Sequence, residues 1–418
     1  MAQLSDDCFA FGGPLMPIET AQTLMATQVP VLTETEIVPL AAALGRVTAG
    51  DVIAPVSLPP FDNSAVDGFA VRIADVAAQG ETALRIAGRL QAGAEARVPI
   101  APATAVRIFT GAPMPPGADT VYMQEDCRIN GDSVVVPPGL KRGANRRKAG
   151  EDIAAGTVAL PGGRRLGPAD ISLAAAVGLT HLSVRKRVRV AVFSTGNEIV
   201  APGEPLRAAG VYDANRQLLL ALLARLGAET EDLGILPDDP AVLAPSIAAA
   251  AERHDLVLTS GGVSTGEADH VRMAVEQAGR LVFWRLGIKP GRPVAMGVIA
   301  GAAFAGLPGN PVAVFVTFVH VVRPLILRLS GATPTPFTAL PVKAAFAYRK
   351  KSGRREYVRA SLRRGPDGWP EAHKYPQDGA GVITSLTETD GLVELADDVT
   401  VVAPGDTVGF LPYAALTA

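Results

Sequence analysis

Cysteine is scarce in this 418-residue chain, with Cys8 and Cys127 the only two. One pair cannot build a disulfide framework, and no Cys-x-x-Cys or Cys/His grouping offers a structural zinc site, so a reducing cytoplasm is the expected setting. A surplus of either charge is missing as well. Lys+Arg number 39 and Asp+Glu 41, a net charge of −2. Such a chain has no global field to draw in a nucleic-acid backbone, and any anion it binds must be held by a local cluster. The start of the chain carries Asp6 and Asp7 but no Lys or Arg through Ala10, which removes the basic n-region of a secretory signal, and no export is expected. Long apolar runs are absent too. The most apolar stretch, 311–322, contains His320 and closes on Arg323 and Pro324, well short of the ~20 residues a membrane span needs. No membrane partner is expected.

What the chain does have is apolar surface to bury: 48% of its residues are hydrophobic and 19% charged, which argues for folded domains rather than disorder. Its length suits roughly three domains of about 150 residues. The 43 glycines and 34 prolines follow no period and mark many tight turns between ordered elements. Residues 15–50 show a helical period through Ile18, Ala21, Leu24 and Met25, with a second short helix at 40–44. From Asp51 the pattern changes to short β-like runs at 71–73, 83–86, 106–109, 120–123 and 133–136, a small all-β unit. Residues 141–165 hold seven basic and two acidic residues among five glycines, a segment suited to returning the chain to its first helices.

From 187 to about 330, apolar β runs alternate with helical patterns at βαβ spacing, the mark of an α/β layer with a mostly parallel sheet and helices on both faces. A strand at 188–193 leads into Ser194-Thr195-Gly196-Asn197-Glu198, and a helix opening near Asn215 carries Leu218, Leu219, Leu222, Leu223 and Leu226 on one face. A second strand, 255–259, runs into 260–266 and a helix from 267 to 278. A third unit ends in 305–311, with a helix from Val312. After Pro334 and Pro336 the pattern returns to β at 342–348, 357–362, 392–395, 399–402 and 407–410.

In an open α/β sheet the strand C-terminal ends face the ligand crevice, and three turn-rich loops fall there together: 194–198, 260–266 and 306–311. The loop Ser260, Gly261, Gly262, Val263, Ser264, Thr265, Gly266 lies between a strand and a helix start, where free N–H groups and the helix dipole favour a phosphate; a plain βα turn is the competing reading. Residues 262–266 also spell G-x-S-x-G, the elbow of serine hydrolases. A triad would need an acid and then a histidine further on, and His320 in an apolar helix and His373 in the last β module have no evident triad setting. The carboxylates of Asp67, Asp152, Glu198, Asp238, Asp239 and Asp269 sit beside glycines or prolines at loops and helix starts. Some suit capping, Asp269 among them. The functional reading is a Mg²⁺ ion held by one or two carboxylates and bridging to substrate phosphates. Arg285, Lys289 and Arg292 supply the complementary cations. The apolar, turn-rich stretches 58–70 and 109–119 need a packing partner, and the Thr110 hydroxyl is free to donate to an anion or accept from a backbone cap.

FDNSAVDGFA at 61–70, FTGAPMPPGAD at 109–119, GED at 150–152, STGNE at 194–198, SGGVSTGEAD at 260–269, IKPGRP at 288–293 and GLPGNP at 306–311 together resemble the molybdopterin molybdenumtransferase family, the bacterial MoeA proteins and the gephyrin E domain. The resemblance covers nearly the whole chain. Val66, Phe69 and Arg285 stand where that family often has Met, Tyr and Lys; a guanidinium keeps the charge of the lysine but not its point-like ammonium.

The resemblance implies insertion of molybdenum from molybdate into adenylylated molybdopterin, with Mg²⁺-dependent release of AMP. It assigns catalytic roles to Asp67, Thr110, Glu198, Asp238 and Asp269, with Glu198, Asp238 and Asp269 as metal ligands. Substrate binding falls to Ser194, Thr195, Gly196, Ser260, Gly261, Gly262, Ser264, Gly266, Arg285, Lys289, Pro308, Gly309, Asn310 and Pro311. It further implies a homodimer in which the β domain of one subunit covers the cleft of the other, substrate delivered by the molybdopterin adenylyltransferase, and cofactor passed to molybdoenzyme apoproteins. The expected division is a discontinuous helical/β domain at 1–50 and 141–180, an inserted β domain at 51–140, an α/β molybdopterin-binding domain at 181–332 and a C-terminal β-barrel at 333–418. A phosphoanhydride or ester hydrolase on a related pterin-binding fold, and a scaffold without chemistry, are the alternatives.

Overall fold

The computed structural model of the chain describes residues 15–261 and 270–417. A six-stranded sheet lies at its centre, in the order Glu229–Leu236, Arg189–Thr195, Leu256–Ser260, Ala302–Leu307, Pro293–Ile299, Gly279–Arg285. The first four strands are mutually parallel, and the last two join antiparallel. Successive residues of the strand Arg189–Thr195 point to opposite faces. Val190 and Val192 therefore enter one core with Leu219, Leu222 and Leu223, while Ala191 and Phe193 enter another with Leu243, Ile247 and Val271. Burial on both faces is why this strand reads as an unbroken apolar run.

The helix Ala214–Leu226 starts where Asp213 accepts the Arg216 N–H at 3.2 Å and ends on Gly227 at φ +76°, a side-chain cap at one end and a left-handed turn at the other. On the opposite face lie Pro240–Arg253, capped by Asp239, and His270–Ala278. The helical run beginning at Pro311 continues to Leu329, past the expected apolar stretch, because a π turn at Phe318–Val322 joins two α segments. At 19 residues it is long and apolar enough to cross a membrane, but most of it is buried within the fold. It packs on the helix Ile18–Gln28 and on barrel residues Tyr357, Leu392 and Leu411.

Before this layer, three short antiparallel pairings bring the chain back on itself: Thr35–Pro39 with His181–Arg185, Val52–Ile53 with Val158–Leu160, and Asn63–Ser64 with Arg146–Arg147. Between them sits a six-stranded β unit in the order Thr120–Met123, Gly68–Val71, Thr104–Ile108, Thr82–Leu90, Ser133–Val136, Arg128–Asn130. The strand expected at 71–73 ends at Val71 instead, because the Asp119 carboxylate takes the Ile73 N–H at 2.9 Å and turns the chain into a 3₁₀ segment. The helix expected at 40–44 is likewise a single 3₁₀ turn, Leu40–Ala42. The last module is a closed barrel. Its strands Arg355–Arg364, Pro370–Lys374, Leu340–Ala344, Thr407–Pro412 and Gly391–Leu395 pair in that order, and the first and last pair with each other. A two-residue strand from the α/β module, Ile288–Lys289, joins this barrel sheet in parallel with Arg355 and Glu356.

Candidate active site

The four parallel strands end in register. Thr195 lies opposite Leu236, Ser194 opposite Ser260, and Ser260 opposite Leu307. Successive crossovers leave the strand Arg189–Thr195 in opposite directions, so the switch point of the sheet falls between Thr195 and Ser260, where open α/β sheets bind ligands. The Thr195 hydroxyl is buried there with no hydrogen-bond partner, an uncommon condition for a buried polar group. Ser194, by contrast, is engaged, donating to Asp213 at 3.0 Å.

Glu198 lies in the turn three residues past Thr195 and Asp238 in the loop two residues past Leu236, after strands that are neighbours in the sheet. Gly196 is required beneath Glu198: a Cβ at this position, φ +141°, would lie 2.9 and 3.0 Å from the two carboxylate oxygens. Asp238 faces His270, whose Nδ1 is 2.7 Å from its carbonyl oxygen and 3.3 Å from its carboxylate. Gly261, at φ +87°, donates to the Leu307 carbonyl at 3.0 Å, and the Ser260 hydroxyl to that of Pro308 at 3.4 Å. Asn215 ties the opposite loop in place, its amide donating to the Gly309 carbonyl at 2.7 Å. Asn310 precedes the helix whose first residue is Pro311. Gly262, Ser264, Gly266 and Asp269 lie outside the described residues. Among the described residues no group of three or more His, Cys, Asp or Glu is gathered for a metal. Mg²⁺ needs only one or two carboxylates beside substrate oxygens and water, and Glu198 and Asp238, which follow adjacent strands, are the candidates for that role.

The cations stand at the same end of the sheet. Arg285 ends its strand, exposed, opposite Pro293. Lys289 lies in the strand beyond and reaches Glu356 of the barrel at 3.2 Å. A cavity of ≈ 290 Å³ opens beside Lys289, lined by Pro308, Asn310, Tyr348, Glu356 and Arg359 among others. Glu356 is 1% exposed. It accepts from Tyr348 at 2.8 Å and from Arg354 at 2.8 Å. Burial opposes its ionisation, yet the Tyr348 hydrogen bond and the Lys289 and Arg354 cations outweigh that cost and hold the carboxyl below its ordinary range.

In the inserted β unit, one oxygen of Asp67 accepts both the Thr110 N–H and the Thr110 hydroxyl at 2.8 Å. The backbone bond foremost, then the hydroxyl, keeps the Asp67 carboxyl ionised below its usual range, with Arg107 adding a smaller pull. Arg107 itself lies over the rings of Phe69 and Phe109 at 4.8 and 5.4 Å. Asp67 and Thr110 thus meet each other, but among the described residues no hydrogen bond or ion pair joins residues 66–140 to the α/β module.

Three family models match the chain in order: the MoeA N-terminal region (domain I and II) at 16–178, a probable molybdopterin binding domain at 191–328, and the MoeA C-terminal region (domain IV) at 341–413. A molybdopterin molybdenumtransferase of Haemophilus influenzae is 37% identical over 96% of this chain and 99% of its own. The chain belongs to the molybdopterin molybdenumtransferase family. Molybdopterin molybdenumtransferase 2 of Mycobacterium tuberculosis is 36% identical, over 88% of this chain and 92% of its own. The crystal structure of the molybdopterin biosynthesis MoeA protein of Pyrococcus horikoshii superposes with a TM-score of 0.80 at 27% identity, covering 96% of this chain and all of that one. Within this family fold, sequence reasoning overlooked Glu356, Tyr348 and Asp213. Glu356 was open to detection, since it is the one acid in a stretch that also holds Arg349, Lys350, Lys351, Arg354, Arg355 and Arg359. A lone carboxylate among so many cations is there to be shared by them.

Proposed function

We propose that this chain inserts molybdenum from molybdate into adenylylated molybdopterin and releases AMP in the same reaction. The observation that supports the reading is that the loops carrying Glu198 and Asp238 and the strand carrying Lys289 lie at the same end of the sheet, with the unpartnered Thr195 hydroxyl at its switch point. A bound anion and carboxylates repel unless a cation mediates, and a Mg²⁺ ion would neutralise the pyrophosphate of an adenylylated pterin. Glu198 and Asp238 would hold that ion, with Asp269 as the third ligand carried by the family motif. Thr195 and the amides of 260–266 would orient the pterin phosphate, and Lys289 and Arg285 the molybdate oxyanion.

Asp67 and Thr110 take part through a partner copy in this reading: the chain forms a homodimer in which the β unit of one protomer covers the cleft of the other. The paired hydrogen bonds from Thr110 keep the Asp67 carboxylate charged and fixed for that role. The units act as domains at 1–50 with 141–180, 51–140, 181–332 and 333–418. The enzyme works in the cytoplasm, receives substrate from the molybdopterin adenylyltransferase and passes cofactor to molybdoenzyme apoproteins.

Purified protein mixed with adenylylated molybdopterin, Mg²⁺ and limiting molybdate tests the reading, with AMP measured by chromatography and cofactor by reconstitution of an apo-molybdoenzyme. AMP and cofactor rising together with molybdate support it. AMP without cofactor identifies a hydrolase, and neither product identifies a binding scaffold.

A further inference from the structure

We infer that the chain carries a second anion site, built for a phosphate-bearing small molecule, at the end of the α/β sheet remote from the cleft. An open depression of ≈ 930 Å³ lies there, lined by Arg165, Arg187, Arg225 and Arg323 with hydroxyls from Thr333 and Thr417, and no Asp or Glu is in its lining. A narrow crevice continues inward past Arg165 and Arg187 and adds Arg185, again with no acid. Arg187 precedes the strand Arg189–Thr195, whose far end carries Thr195. Seven residues at ~3.3 Å each put the depression roughly 20 Å from the switch point, so it is a separate place on the molecule and does not depend on the function proposed above.

The charges of Arg165, Arg187 and Arg225 are satisfied as donors but not neutralised. Arg165 donates to the Arg225 carbonyl at 2.9 Å, Arg187 to the Gly227 carbonyl at 2.6 Å, and Arg225 to the Thr417 carbonyl at 3.2 Å. Each bond uses one of five guanidinium N–H groups and meets a neutral oxygen. The two oxygens at the end of the helix Ala214–Leu226 contribute about half a negative charge between them. Among the described residues, none of Arg165, Arg187 and Arg225 has a carboxylate within ion-pair distance, and the Arg165 Nε is buried with no hydrogen-bond partner. Burial lowers the pKa of Arg165 and of Arg323, and the charge of Arg165 lowers that of Arg323 further. Arg165 half-buried on the floor, with Arg187 and Arg225 exposed at the rim and none of the three ion-paired, calls for a ligand of more than one negative charge and several oxygens. Planar forks arranged in this way suit phosphoryl groups. Leu44, Leu166 and Leu327 line the same depression and give an organic body somewhere to rest.

Titration calorimetry at low salt with inorganic pyrophosphate, and then with phenyl phosphate against inorganic phosphate, tests the site. One pyrophosphate should bind per chain in the Lys289→Gln protein, whose cleft cation is removed. Arg225→Gln, altered at the exposed rim where folding is not at stake, should weaken it about tenfold, and Arg165→Gln with Arg187→Gln should abolish it. Phenyl phosphate binding more tightly than phosphate would identify an organic monoester, and equal affinity a free phosphate or pyrophosphate. Pyrophosphate binding that survives the arginine variants but is lost in Lys289→Gln overturns the site, as does no binding at all. An assembly that falls apart on sedimentation of Arg225→Gln, with pyrophosphate without effect, shows that these arginines face a partner copy and overturns it too.

Discussion

Lys289 and Glu356 lie opposite each other in a parallel strand pairing between two modules, and their side chains meet at 3.2 Å. The ammonium is therefore held toward the cleft by a carboxylate of the barrel, and Glu356 is itself locked by Tyr348 and Arg354. Glu356→Gln keeps the shape but removes the charge. The expected outcome is a KM for molybdate raised several-fold with kcat less affected, and a stability loss of about 1.5–3 kcal/mol, trimmed because Lys289 is nearly half exposed. Steady-state kinetics with urea denaturation checks both, and an unchanged KM would show that the pair is structural only.

Thr110→Val removes one of the two hydrogen bonds that depress the Asp67 carboxyl and leaves the backbone bond in place. With less support for the charged form, the Asp67 pKa rises toward its ordinary value. The acid limb of the rate profile is expected to move to higher pH while the neutral-pH rate changes less. A profile whose acid limb stays put would separate Asp67 from the rate-determining chemistry.

His320 is buried against Tyr357, rings 4.3 Å apart and nearly parallel, with its Nε2 lacking a partner. Burial, with Arg355 and Arg323 adding to it, pushes its pKa down to about 3. The unfolded chain takes up this proton near 6.5, the folded chain only near 3. Stability is therefore full above about 6.5 and drains away as pH falls through that window. His320→Gln should flatten the acid side of a stability–pH curve, measured by thermal unfolding between pH 7 and pH 4, and a curve of unchanged slope would contradict the neutral, buried assignment.

Gly291 adopts φ +101°, and a Cβ there would come within 2.6 Å of Thr317 Cγ2 and 3.3 Å of the Ala313 carbonyl. Gly291→Ala must strain the backbone or displace the helix beginning at Pro311, at about 2 kcal/mol or more. Chemical denaturation should show that loss. Retained stability would mean that the loop carrying Lys289 yields at little cost.

The central layer was legible because its inner strands are buried on both faces and so read as apolar runs, and because the leucines of Ala214–Leu226 keep a helical spacing. Glu229–Leu236 escaped notice for the opposite reason: it is an edge strand, half exposed, with Glu229, Glu231 and Asp232 along it. The helix Pro240–Arg253 was hidden by Pro245 within it, a residue that argues against a helix interior. Loops 194–198 and 306–311 were found from their turn residues, since the strand ends they follow fix where they fall. Glu356 stands out locally as the one acid among many cations, but its partner Lys289 lies 67 residues away, and no local pattern encodes that pairing.

The same separation sets an order of events during synthesis. Lys289 leaves the ribosome 67 residues ahead of Glu356, and every strand of the central sheet has emerged before the barrel begins. The nascent α/β module can close its sheet while its two-residue strand, Ile288–Lys289, still lacks a neighbour. The cleft acquires its anchored lysine last, when the final module folds onto a strand that was waiting for it, so that each completed binding site reports a chain translated through to its barrel.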